Sequence, residues 1–265
     1  MTRSKRTNHH RWFTIDDFFI NVKLRKSLRV QRHFVGNEPD LDILLLRALE
    51  GHPLLPAVCL PEFHLCVTNG LITHHRNACL PDSFLAIETG LLVTDYKWRA
   101  ILHVPQNLEM YLDQCRTRAR YVVCNFGLYP DRDFSEGHSN TLLFDLKNRA
   151  IERFCPGTGK DNRALNELDR QIKVSFKLIL PLWKYRGIVD APTKAIQDIT
   201  RDKEFCVAHS LHYLLLRLLN PSRLPSEITH YMIRGSREQI LNRTLHVNEQ
   251  IINILNRGIH KQSGR

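Results

Sequence analysis

Residues 138–157, HSNTLLFDLKNRAIERFCPG, read as a β-hairpin with a histidine where it begins and a cysteine near its end. TLLFD and AIERF are short, largely apolar runs that suit a pleated surface. Leu146, Lys147 and Asn148 mark the turn between them, and Asn tolerates the left-handed backbone such turns use. A turn centred on Lys147 pairs residues whose numbers sum to about 293 or 294. That register sets His138 opposite Cys155 or Pro156, with opposed Cβ atoms about 5 Å apart. A histidine that acts as a base needs a partner to fix its tautomer and orientation. A thiol is a weak donor and a weak acceptor, so Cys155 is an unusual residue to find there. Taken singly, the two also fit a structural histidine and a small buried apolar side chain.

A second feature follows about fifty residues later. Gln197 precedes Cys206 by nine positions, and Cys206 opens the apolar run CVAHSLHYLLLRLLN, which reads as a helix over 205–220 closed by Pro221. A cysteine at a helix start meets unpaired N–H groups and the positive end of the helix dipole, which favour the thiolate. A nucleophilic cysteine is prepared in this way. A glutamine close by can donate an amide N–H to an oxyanion. The competing reading is a core helix that begins with a buried Cys.

Order and spacing together resemble the adenain and ubiquitin-like-protein protease superfamily of cysteine peptidases. The nearest likeness is to a divergent branch found in large DNA viruses. It is carried by Gly137-His138-Ser139-Asn140, Asp145-Leu146-Lys147-Asn148, Ile151-Glu152-Arg153-Phe154-Cys155-Pro156 and Cys206-Val207-Ala208-His209-Ser210-Leu211, with Asn220-Pro221 after the helix. It covers roughly residues 118–222; no match is evident over 1–100. It implies a papain-like or adenain-like fold, with Cys206 as nucleophile, His138 as base and then acid, and Gln197 as oxyanion donor. It implies a protein substrate: a viral structural polyprotein, or a ubiquitin-like modifier joined by a peptide or isopeptide bond and cut after a Gly-Gly type sequence. The third catalytic position, usually Asp, Glu or Asn, falls on Cys155. Asn140, on the His138 strand face, is the other candidate third member, whereas Glu152 is expected to face away. A catalytically degenerate binding module and an acyltransferase on the same fold are the alternatives. His209, where relatives carry an aromatic, reads as a packing residue.

The remaining pattern is α+β, a small mixed sheet flanked by helices with the Cys206 helix at its centre. RYVVCNFGLY (120–129) and KVSFKLILPLW (173–183) read as strands. Helices are expected over 40–50, 105–117, 161–172 with Asp161 as a cap, and about 237–256 behind a capping box from Ser236 to Gln239. Residues 1–100 are expected to form a mainly helical basic extension, and 101–265 the peptidase-like domain.

The 265 residues are 43% hydrophobic and 25% charged, which suits a globular domain. The formal charge of +11 is concentrated at the N-terminus, where residues 1–33 hold nine Lys or Arg against two Asp. Interleaved with Trp12, Phe13, Phe18 and Phe19, this arm suits nucleic acid, which would then be an activator, and equally suits docking of the arm on the protein. No apolar run approaches a bilayer span, so no membrane partner is expected. No apolar signal follows the basic start, and seven cysteines show no disulfide framework. The expected setting is intracellular (cytosol, nucleus or virus factory) or inside a virion. Cys59, His64, Cys66, His74, His75 and Cys79 could supply zinc ligands, in a spacing that matches no standard finger. GTGK (157–160) lacks the Ser or Thr of a phosphate loop, and no cofactor is expected.

Overall fold

The computed structural model describes residues 12–16, 52, 54–61, 65–69, 84–93, 97–129, 138–161, 163–201 and 205–260. The helix expected over 40–50 lies outside them. Eight strands form one mixed sheet: β1 (Val58–Cys59), β2 (Leu65–Asn69), β3 (Phe84–Val93), β4 (Lys97–Pro105), β5 (Tyr121–Tyr129), β6 (His138–Asp145), β7 (Ala150–Phe154) and β8 (Lys184–Arg186). Their order is β3-β4-β2-β5-β6-β7-β8. β1 and β2 both run parallel to β5, β1 beside its start and β2 beside its end. Six α-helices and a 3-10 turn (Ile188–Asp190) complete the described fold: α1 (Leu108–Arg116), α2 (Arg163–Ile179), α3 (Ile196–Thr200), α4 (Cys206–Leu219), α5 (Pro225–Met232) and α6 (Arg237–His260).

The sheet has a hydrophobic cluster on each face. Val122, Cys124, Phe126, Leu142, Phe144 and Ile151 meet Leu168, Ile172, Phe176 and Leu180 of α2 and its C-terminal turn. Residues one position along the same strands, Tyr121, Val123 and Leu143, meet Leu214 and Leu218 of α4. This is the period-two alternation of a sheet buried on both sides. α6 opens as the sequence predicts: the Gln239 N–H donates to Ser236 Oγ (3.3 Å) and the Ser236 N–H to Gln239 Oε1 (2.9 Å).

Three expectations are corrected. Residues 173–179 are helix, not strand, because they continue α2. Leu168, Ile172, Phe176 and Leu180 recur every four residues and bury one face. Val174, Phe176, Leu178 and Leu180 also alternate, which imitates a strand, yet Val174 and Leu178 stand in solvent. Second, the described part of residues 52–105 is built of strands rather than helices. A boundary at residue 100 falls inside β4, whose sheet also carries His138. Third, Cys59 and Cys115 form a disulfide joining β1 to α1, Cα atoms 6.1 Å apart, where no disulfide was expected. The β1–β5 pairing brings Cys59 level with Val122, just past the helix that carries Cys115.

The described N-terminal residues dock on the helical layer. The Phe13 N–H donates to Asn220 Oδ1 and Asn220 Nδ2 donates to the Phe13 carbonyl, both at 2.9 Å. The Trp12 ring lies 4.8 Å from that of Tyr231, and Arg223 sits 5.3 Å over it. Phe18 and Phe19 lie outside the described residues.

Candidate active site

The hairpin that opened the sequence is present, with a different register. Thr141 faces Phe154 and Asp145 faces Ala150, so paired numbers sum to 295 rather than 293 or 294. The left-handed turn residue is Arg149 (φ 47°), not Asn148. Asn148 instead donates its main-chain N–H (3.1 Å) and side-chain amide (2.8 Å) to the two carboxylate oxygens of Asp145. Carried past Phe154, this register sets Cys155 level with Asn140 and Gly157 level with His138. The Cys155 side chain still shares a face with His138, as its diagonal neighbour. His138 Nε2 lies 3.2 Å from Cys155 Sγ.

Helix α4 brings the second thiol. Three rungs tie it to the hairpin. Ser210 Oγ donates to the Ser139 carbonyl (3.3 Å), and Thr141 Oγ1 donates to the Ser210 carbonyl (3.2 Å). Tyr213 stacks on Phe154 with centroids 4.2 Å apart and rings 3° from parallel. Arg217 gives a buried bidentate pair to Glu152, at 2.7 and 2.8 Å. Positions 210, 213 and 217 share one helical face, and Cys206 is one turn ahead of Ser210 on that face. The geometry therefore delivers Cys206 to the start of β6. There its sulfur is coupled electrostatically to the His138 imidazole and to the main-chain N–H groups of Ser139 and Val207. Glu152 faces away from the site, as expected.

Gln197 completes the cluster from α3. Its main-chain N–H donates to the Pro156 carbonyl at 3.2 Å. Its side chain and His138 meet over Gly157: a Cβ added there would sit 3.2 Å from Gln197 Oε1 and 3.3 Å from His138 Nε2. The structure thus gathers His138, Cys155, Cys206 and Gln197 around the end of the hairpin. Asn140 takes another place. Its amide donates to the His138 carbonyl (3.1 Å), and its oxygen accepts from Arg153 (3.1 Å), away from the His138 ring.

The charges are coupled. Burial pulls the His138 pKa down, but the Cys155 thiolate beside it, and hydrogen bonds to both thiols, push it up to about 10. Burial pushes Cys155 up, and the His138 charge and hydrogen bond, with the Arg153 charge, bring it down to about 7. Cys206 also resists burial and is lowered, chiefly by its hydrogen bonds to His138 and the Ser139 N–H. The cluster can hold one imidazolium against thiolate charge, which is a nucleophile with its proton donor attached. Arg153, fixed by Asp169 at 2.7 Å, backs Cys155 with a buried positive charge.

Sequence reasoning gave Arg153, Gly157 and Ser210 no role. Two of them stand inside the quoted motifs, and Gly157 closes the hairpin stretch. Among the described residues no group of three or more His, Cys, Asp or Glu is placed to hold a metal ion. Cys59 is committed to its disulfide and Cys66 is buried on β2, while His64, His74, His75 and Cys79 lie outside the described residues.

No protein-family model matches the sequence. No curated protein matches it either. Among solved structures, similarity is found to the crystal structure of the Legionella pneumophila effector protein RavZ. Identity is 10% and the TM-score 0.34, over 83% of this chain and 66% of the effector chain, just under two thirds of its length.

Proposed function

We propose that this protein is a cysteine peptidase whose catalytic group is Cys206, His138 and Cys155, with Gln197 as oxyanion donor. One observation carries the reading: a single imidazole lies 3.2 Å from a buried thiol and is coupled electrostatically to the thiol that opens helix α4. Cys206 Sγ attacks the substrate carbonyl. The oxyanion accepts from the Gln197 amide and from the Cys206 main-chain N–H at the helix start. His138 gives its proton to the leaving amine, then takes one from the water that hydrolyses the thioester. Cys155, as a thiolate, takes the place of the usual carboxylate and holds the imidazolium. Between about pH 7 and about pH 10 Cys155 is ionised and His138 protonated, so activity rises through neutral pH.

The resemblance extends this to a protein substrate cut after small residues, in a polyprotein or a modifier conjugate, and the basic arm to stimulation by nucleic acid. Replacing Cys206 by Ala should abolish cleavage and labelling by a peptide aldehyde while leaving the melting temperature unchanged. Cleavage that persists in Cys206→Ala defeats the reading. Transfer from acetyl-CoA in place of hydrolysis would assign the site to acyl transfer.

A further inference from the structure

Helix α2 has a second face that the fold does not use. Its inner stripe is buried against the sheet, but Val174 and Leu178 are 51% and 72% exposed. Leu182, just past the helix, is 69% exposed. Three large aliphatic side chains in nine residues are therefore left in water. Lys173, Lys177 and Lys184 beside them are exposed as well. The acids of this region are already engaged: Glu167 with Arg170, Asp169 with Arg153, and Asp190 with Arg186. Among the described residues the crest is apolar, and its rim of three lysines has no acidic partner.

We infer that this face docks on an anionic lipid surface. Both parts of the pattern select that partner. Exposed aliphatics on the outer side of a helix enter the headgroup and acyl boundary of a bilayer without needing a matching groove. Lysine stems lie along apolar surface and lift their ammonium groups to the phosphates. A nucleic acid would meet the charges and leave the aliphatics unburied. An acidic protein would have to supply a groove for all three aliphatic side chains. The sequence expectation of no membrane partner rested on the lack of a spanning segment, and no described helix is long and apolar enough to cross a membrane. Docking from one side needs no span. α2 and α4 lie on opposite faces of the sheet, so a bilayer against α2 leaves the Cys206 helix uncovered.

The test is flotation of the full chain with vesicles of phosphatidylcholine alone and with phosphatidylserine added. The wild type should float with the anionic vesicles and at least tenfold less with the neutral ones. The double variant Leu178→Ser, Leu182→Ser keeps every charge and should lose about tenfold in affinity. The basic N-terminal arm cannot account for that loss. Lys173→Glu with Lys177→Glu should lose at least as much. The replaced side chains are exposed, so the melting curves should stay with the wild type. The inference is overturned if the wild type ignores anionic vesicles, or if the aliphatic variant floats as the wild type does. It is also overturned if the lysine variant loses binding to duplex DNA while keeping its vesicle binding.

Discussion

His212 is buried on helix α4, His138 is half-buried at the start of β6 against the same helix, and the two are driven in opposite directions. His212 faces α6, where Thr244 Oγ1 stands 3.3 Å from its Nδ1 and 3.2 Å from Nδ1 of His209. Burial, with the charges of His209 and Arg243, takes its pKa down to about 3. Burial lowers His138 as well, yet it is raised to about 10 because thiolates face it. Burial alone lowers a histidine, and only a facing anion reverses the sign. A shared hydroxyl leaves a neutral packing residue, while a pair of thiols makes an acid.

The largest effect expected on this contrast comes from removing the anion. Cys155→Ser should bring the His138 pKa down from about 10, with only Cys206 left to raise it against burial, read by NMR titration of the imidazole. Alkylation of Cys206 by iodoacetamide at pH 7 should slow by about tenfold or more, as its thiolate share falls. Cys155→Asp should restore both. A titration curve that does not move in Cys155→Ser would mean that another group holds His138.

His212 should appear in acid stability. Its folded pKa lies below the unfolded value, so the unfolded chain binds the extra proton, and stability falls as pH drops from about 6.5 toward 3. The slope approaches about 1.4 kcal/mol per pH unit. His212→Leu should flatten that limb in urea titrations at pH 4, 5 and 7, and parallel curves for variant and wild type would refute the assignment.

The smallest effect tests alignment rather than charge. Gly157→Ala puts a methyl 3.2 Å from Gln197 and 3.3 Å from His138, so one of them must shift by a few tenths of an ångström. We expect kcat/KM to fall about tenfold with the melting temperature held. An unchanged rate would show that the two side chains are not held together over this glycine.

Much of the fold and site could be read from the sequence, for identifiable reasons. The hairpin and the Cys206 helix carry dense local signals: a turn flanked by apolar strands, and an apolar run closed by Asn220 and Pro221. The register could not be read, because Arg149 takes the left-handed position that Asn148 was expected to fill. The strand expected over 173–183 failed because four apolar residues there satisfy two periods at once, and two of them serve the surface. Strands β1 and β2 were missed since their partner β5 lies far along the chain, β2 pairing with Leu128 and Tyr129 some sixty residues on. The Cys59–Cys115 disulfide is a product of the same distant pairing.

Asn220 grips the Phe13 main chain across 207 positions of sequence. In a chain made from its N-terminus onward, that clasp closes only after the whole of helix α4 has left the ribosome. Contacts so remote are formed late. Between the making of Gly157 and that of Cys206 the His138 hairpin exists without its nucleophile, and Cys155 alone holds its imidazole. Under the proposed chemistry, the nascent protein is silent by construction and becomes reactive only when helix α4 has joined the hairpin.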